Sequence, residues 1–262
     1  KPRFKYNEKS ATKTIAEPIW DLLDRGGKRW RPALFLLTIE ALGEDPKDFL
    51  DLAIIPELIH NGTLMVDDVE DQGELRRGKP CTYKIFGQDI AINAGNALYY
   101  LPLLALIKND KIPNGVKLKA YEIIIQEMIN ISFGQGMDIA WHKGIADADN
   151  ISESEYLQMC AYKTGCLSRM AMKLGALFAG ANDSIIERFG KLGESIGVGF
   201  QIQDDILDIV SESDKWGKPF GNDIHEGKRT LMVIHTLHKA NERDRKRLID
   251  ILNMHTKDRE II

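Results

Sequence analysis

The chain has 262 residues, 44% of them hydrophobic, which is enough for one large core, and a single domain over 1–262 is the expectation. Its formal net charge of −4 excludes a general nucleic-acid surface. Three cysteines, Cys81, Cys160 and Cys166, with no Cys-x-x-Cys spacing, exclude a disulfide framework or zinc site and suit a reducing cytosol.

Residues 1–10 hold no apolar run, so no signal peptide is read there. Apolar residues then recur three and four apart through 15–23, 32–42, 50–66, 116–133, 154–179 and 185–210, which is helical spacing. No turn of the hairpin kind separates apolar runs. Breakers fall where helices should stop, at 43–46, 109–115, 144–152 and 180–183. Ser152 opens Ser-Glu-Ser-Glu, a capped helix start. The stretch 90–107 carries no charge and is borderline in length for a bilayer. With Asn93, Gly95, Asn96 and Pro102 inside it, it reads as a helix buried in a bundle, so no transmembrane segment is expected. The whole predicts one all-α domain, a single bundle of many long helices around a central cavity.

Two copies of Asp-Asp-x-x-Asp stand far apart: Asp67, Asp68 and Asp71, then Asp204, Asp205 and Asp208. At 3.6 residues per turn the first and last carboxylates of each copy share a helix face. Two carboxylates about 6 Å apart repel by roughly 3 kcal/mol at an effective dielectric near 20, so a cation should sit between them. Mg2+ takes oxygen ligands and keeps waters and substrate phosphates in its shell, so two such claws suit a diphosphate. Compact basic groups accompany them. Gly26-Gly27-Lys28-Arg29-Trp30-Arg31-Pro32 sets cations beside glycines. Arg76-Arg77-Gly78-Lys79-Pro80 follows the first claw, and Lys218, Lys228 and Arg229 follow the second. Each group alone reads as a solvated charge cluster; placement beside both claws favours a site. Trp20, Trp30, Trp141 and Trp216 read as packing residues.

These motifs resemble the trans-isoprenyl diphosphate synthases of the polyprenyl synthetase family, most closely the geranylgeranyl-forming type. The similarity extends to His60, seven residues before the first claw, to 134–138 (Gly-Gln-Gly-Met-Asp), Lys163-Thr164-Gly165, Phe200-Gln201 and 217–223 (Gly-Lys-Pro-Phe-Gly-Asn-Asp). It runs in order from Arg25 to Arg229. The resemblance implies the isoprenoid synthase fold and head-to-tail condensation of isopentenyl diphosphate with an allylic diphosphate. It implies that Lys28, Arg31, His60 and Arg77 hold isopentenyl diphosphate. Arg76, Lys163, Thr164, Gln201, Lys218 and Lys228 would hold the allylic diphosphate, and all of these except Arg76 would also be catalytic. Asp67, Asp71 and Asp204 would be the main Mg2+ ligands, with Asp68, Asp205 and Asp208 near the metals, three ions in all. A cytoplasmic homodimer follows from the same likeness. Gln135 and Asp138 have no assigned role.

Product length is read from Gly62 and Thr63, small residues about one turn before the first claw, with Tyr99 and Tyr100 as the next floor. They suggest geranylgeranyl diphosphate, with longer chains or farnesyl diphosphate as alternatives. A terpene cyclase or a non-catalytic partner subunit is the reading from outside the class. The second basic set speaks against the first, and retention of both claws against the second. Relatives usually continue through further C-terminal helices, and many carry Asp where this chain has Asn96.

Overall fold

The computed structural model describes residues 2–210, 221–258 and 260–262. Its helices in chain order are α1 (Glu8–Ala11), α2 (Glu17–Asp24), α3 (Trp30–Ala41), α4 (Ile54–Glu70), α5 (Thr82–Phe86), α6 (Gln88–Tyr100), α7 (Leu103–Ile107) and α8 (Asn114–His142). They continue as α9 (Glu153–Cys160), α10 (Cys166–Phe178), α11 (Asp183–Val210), α12 (Asn222–His225), α13 (Leu231–Lys239) and α14 (Glu242–Met254). A π-helical turn at Ala161–Gly165 joins α9 to α10 without a break in direction. Among the described residues the one departure from the predicted all-α pattern is a ribbon of β1 (Leu75–Arg76) on β2 (Lys79–Pro80). Its turn, Arg77-Gly78, has positive φ at both residues, 53° and 75°, the geometry that matches strand twist in a two-residue hairpin.

Helix α10 is the hub. Leu167, Met170, Ala171, Leu174 and Leu177 are all buried, and it packs against α3, α8 and α11. Its charged residues, Arg169 and Lys173, stand four apart on one side and are paired with Glu127, Glu194 and Glu187. Phe35, Ile39, Ile55, Ile59 and Ile124 complete the core around it. Trimming Leu174 to alanine would cost about 2–5 kcal/mol through lost transfer and a cavity. A second cluster, Trp141, Tyr156, Met159, Cys160 and Ile234, lies beneath the second claw.

The ends of the elements follow the local chemistry. Ser152 Oγ accepts from the Glu155 amide at 3.2 Å while the Glu155 carboxylate accepts from the Ser152 amide at 2.8 Å, the capping box that its sequence predicts. Gly134 of α8 lies against the π turn; a Cβ there would come within 2.3 Å of the Lys163 amide nitrogen, so only glycine permits this approach.

The stretch 90–107 departs from its reading as a buried helix. It is two helices, α6 and α7, parted at Leu101-Pro102. The span Gln88–Ile107 is long and apolar enough to cross a membrane by composition, with mean hydropathy 1.6, yet only 33% of it is buried. Ala91, Ala94 and Leu98 face inward, while Ile92, Tyr100, Leu104 and Ile107 are exposed.

Candidate active site

A cavity of roughly 710 Å³ runs between α3, α4, α8, the π turn and α11, and both claws line it. The apolar face of α4 is anchored by Ile55, Ile59 and Met65, so the helix ends with Asp67 and Asp71 turned into the cavity. Asp67 receives Gln135 Nε2 at 2.9 Å and lies 3.5 Å from Lys163 Nζ and 3.7 Å from Arg76. Burial alone would resist its ionisation, but Lys163, Lys228 and Arg76 outweigh that and hold its pKa well below the carboxylate range. Asp71 pairs with Lys228 Nζ at 3.0 Å. Burial and the neighbouring Asp67 charge nevertheless push its pKa up to about 6. Asp68 also lines the cavity, and its Oδ1 takes Arg76 Nε at 2.9 Å and the second arm of the same guanidinium. It thereby orients Arg76, while its Oδ2 is buried without a partner among the described residues, and it is 2% exposed.

The sequence left Gln135 and Asp138 without roles, and the structure supplies them. They lie three apart on one face of α8. Gln135 bridges Asp67 and Glu70, at 2.9 and 2.7 Å. Asp138 holds Lys163 Nζ at 2.5 Å. Burial works against the charge on Lys163, and Asp67 and Asp138 reverse it, so its pKa is raised.

The second claw is built differently. Asp204 is exposed to the cavity, and Asp208 accepts from the Asp223 amide at 3.0 Å. Asp205 is 4% exposed and accepts from Tyr156 Oη at 2.5 Å and Gln201 Nε2 at 2.7 Å. Both of its oxygens are thereby engaged, so it serves as a support for the claw rather than a free ligand. Burial and the nearby Asp223 push its pKa up to about 7. Thr164 Oγ1 donates to Gln201 Oε1 at 2.7 Å, completing a chain from the π turn to α9. Lys228 is half-buried and shared by Asp71 and Glu226. Arg229 bonds Asp149 and Asn253 and ties α14 to the loop before α9. Lys218 lies outside the described residues, as does Trp216.

The glycine-rich basic loop forms the other wall. Trp30 stacks on Phe200 at 5.0 Å, Lys28 Nζ sits 4.7 Å from the Phe200 ring and Arg31 lies 4.5 Å from the Trp30 ring. Trp30 is thus part of the cavity wall rather than only packing, whereas Trp20 is 61% exposed. Arg31 is buried and its Nε has no partner among the described residues; burial pulls its pKa down to about 10. Arg77 reaches the Leu22 carbonyl at 3.2 Å and lies against Gly27. Burial, with Arg31 and Arg77 beside it, keeps His60 well below its ordinary pKa and therefore neutral.

Of the length-setting residues, Thr63 and Tyr99 line the cavity. Gly62 does not: a Cβ there would meet the Gly95 carbonyl oxygen at 2.7 Å, so its smallness serves the crossing of α4 and α6. Tyr100 is 71% exposed and forms no floor in the single chain. Tyr156, Glu70 and Glu226 were missed. Only Glu70, inside the first motif, carried a sequence signal.

Residues 12–262 match the family model described as polyprenyl synthetase. The chain is 39% identical over 231 residues to the short chain isoprenyl diphosphate synthase of Methanothermobacter thermautotrophicus, covering 88% of this chain and 69% of that protein. It is 39% identical over 219 residues to the geranylgeranyl diphosphate synthase of Methanosarcina mazei, covering 84% and 66%. Among solved structures, the geranylgeranyl pyrophosphate synthetase from Pyrococcus horikoshii matches with a TM-score of 0.85 at 35% identity, over 94% of this chain and 74% of that one.

Proposed function

The chain belongs to the polyprenyl synthetase family, and from that membership we propose that it joins isopentenyl diphosphate head-to-tail to an allylic diphosphate with the help of Mg2+. As a member it is a prenyltransferase. The observation that carries the reading is the pair of basic walls in one cavity. Arg76, Lys163 and Lys228 stand among the claw carboxylates, while Lys28 and Arg31 line the opposite wall and Arg77 reaches to it from the β1–β2 turn to lie against Gly27. A cyclase, which handles one diphosphate, has no use for the second wall.

The donor set suits Mg2+. Asp71 Oδ1 is buried without a partner, an arrangement that is costly unless a cation takes it. Among the described residues no three acidic, histidine or cysteine side chains converge as a cage. Mg2+ needs no cage, because it commonly takes one or two carboxylates and fills its shell with water and phosphate. Asp67, Asp71 and Asp204 would hold the ions. Bound there, Mg2+ would neutralise the diphosphate and make it a better leaving group.

This chain's own residues do the rest. Lys163, Lys228 and Arg76, held by carboxylates at the cavity wall, set fixed positive charge where negative charge grows on the phosphate oxygens. The Thr164 hydroxyl, held by Gln201, and the carbonyls of the π turn offer dipoles to the allylic cation. Leu64, Val66, Leu167 and Phe200 keep that part of the cavity apolar, so water does not capture the cation. Lys28, Arg31, Arg77 and neutral His60 hold isopentenyl diphosphate, whose double bond attacks. Since His60 is engaged with isopentenyl diphosphate, the lost proton goes to the departing diphosphate.

Thr63 beside the claw and Tyr99 beyond it support geranylgeranyl diphosphate as the main product. Incubation with labelled isopentenyl and farnesyl diphosphates, with and without Mg2+, tests the reaction. A cyclic hydrocarbon or no turnover would reject it. Thr63→Phe should shorten the product; an unchanged length would reject the path past α4. A homodimer is supported by the exposed apolar stripe of α8, Leu118, Ile125, Ile129 and Phe133, spaced seven, four and four apart. Light scattering on Phe133→Lys against the parent chain tests that. The three cysteines are all unpaired and buried, as a reducing cytoplasm would keep them.

A further inference from the structure

Glu57 sits in the first turn of α4, one helical turn before His60, and is 8% exposed. No part of the proposed chemistry uses it. A buried carboxylate needs partners, and this one has two. Its Oε1 forms an ion pair with Arg29 and accepts from Asn61 Nδ2 at 2.9 Å. Arg29 in turn donates to the Leu23 carbonyl at 3.0 Å, so it bridges α4 to the end of α2.

The backbone at Arg29 explains why such a bridge is needed. Its φ is +52°, the left-handed region that a non-glycine residue adopts only when its surroundings hold it there. Gly26 and Gly27 also have positive φ, 82° and 142°. The chain therefore turns sharply before α3, and this turn sends Lys28 to the Phe200 ring and Arg31 to the Trp30 ring, both in the cavity wall. Glu57 also faces Arg31 and Arg77, offsetting in each the effect of burial on the charge.

We propose that Glu57 is a positioning residue for isopentenyl diphosphate: through Arg29 it fixes the left-handed turn that aims Lys28 and Arg31. The proposal rests on the two-diphosphate reading and deepens it. It also has a sign that simple electrostatics does not share. Removing a negative charge from among cations should tighten diphosphate binding if charge alone mattered. Loosening the turn should weaken it.

The test is calorimetric titration of isopentenyl diphosphate into the parent chain, Glu57→Gln, Arg29→Gln and the double variant, followed by two-substrate kinetics with Mg2+. Each single variant should raise the Kd by about tenfold, and the double variant should be no weaker than the singles, because both act through one bridge. The KM for the allylic substrate and the kcat with both substrates saturating should stay within about twofold. An unchanged or tighter Kd in Glu57→Gln overturns the proposal. So does an equal loss on both substrates with a fall in Tm, which marks a merely structural residue. If Glu57→Gln does not fold, Arg29→Gln decides alone, since an unchanged Kd there is equally fatal. A parent chain that binds isopentenyl diphosphate but makes no elongated product rejects the proposed reaction and leaves the positioning role to be judged by the Kd values. A parent chain that does not bind it rejects both.

Discussion

The two claws share a five-residue pattern and a helical setting, yet they are held by opposite means. The claw at the end of α4 is answered by charge: Asp67 by Lys163 and Arg76, Asp68 by Arg76, Asp71 by Lys228. Among the described residues the claw in α11 shows neutral donors: Tyr156 and Gln201 on Asp205, and the Asp223 amide as one partner of Asp208. One consequence is that Asp67 is held ionised while the Asp205 pKa is pushed up to about 7. The spacing of a motif states which carboxylates share a face. What surrounds each one decides whether it waits as an anion or waits for a cation.

The sharpest way to break this comparison is to remove one ligand from each side. Asp67→Ala and Asp204→Ala should each lower kcat by at least about a hundredfold if both claws serve the same ions. Steady-state assays at saturating Mg2+ measure this. Near-normal turnover in either variant would make that claw a structural feature.

The difference in charge predicts a difference in stability without metal. The Asp205 pKa lies above its ordinary value of 3.8, so the folded chain holds that proton more tightly than the unfolded chain. The stability this contributes is complete below about pH 4 and is lost as pH rises through 7. Asp205→Asn carries no such titration. In chelator-treated protein the variant should gain on the parent as pH rises from 4 to 8, reaching about 2 kcal/mol once screening from the open cavity is allowed for. Urea melts at several pH values give the gap, and a constant gap would remove the argument. Asp67→Asn should not gain in this way, because its cations would lose their partner.

Asp138 sharpens the comparison from the side of the first claw. It shares Lys163 with Asp67, at 2.5 and 3.5 Å. In Asp138→Asn the ammonium should lean wholly on Asp67 and compete with the metal there. The Mg2+ concentration for half-maximal rate should rise roughly tenfold, a change of about 1.4 kcal/mol, with the KM for isopentenyl diphosphate unchanged. An unaltered Mg2+ dependence would mean that Asp138 only packs.

Much of this arrangement was legible in the sequence, and the gaps have physical causes. Apolar spacing found α3, α4, α8 and α11, and Ser152 with Glu155 marked the start of α9. It did not reveal the π turn, because one extra residue in a helical turn leaves the apolar rhythm nearly intact. Yet that turn is what carries Lys163 and Thr164. Helix α14 went unread because Arg243, Arg245, Lys246 and Arg247 mask its apolar stripe. Gly62 was misread because smallness beside a claw has two explanations, room for a substrate or room for a helix, and only the neighbouring Gly95 carbonyl separates them. Tyr156 left no trace, since nothing in its own segment announces a partner 49 residues away.

That tyrosine gives the smallest and most specific test of the comparison. Among the described residues its hydroxyl is one of the two neutral donors that answer Asp205, which is 4% exposed. Burial, with Asp205 next to it, raises the Tyr156 pKa, so the hydroxyl stays protonated and always donates. Tyr156→Phe keeps the ring in the cluster of Trp141, Met159 and Ile234 and removes only that donor. It leaves one buried carboxylate oxygen unanswered, at a cost of about 1 kcal/mol in the metal-free chain. Among the described residues the remaining hydrogen-bond donor to Asp205 is the neutral Gln201 amide. The cost should therefore vanish in Tyr156→Phe/Asp205→Asn, where the amide can turn its NH2 away and no anion remains. Urea melts of the two single variants and the double variant close the cycle. Additive costs would mean that the Tyr156 hydroxyl stabilises independently of Asp205 and that the second claw does not depend on this donor.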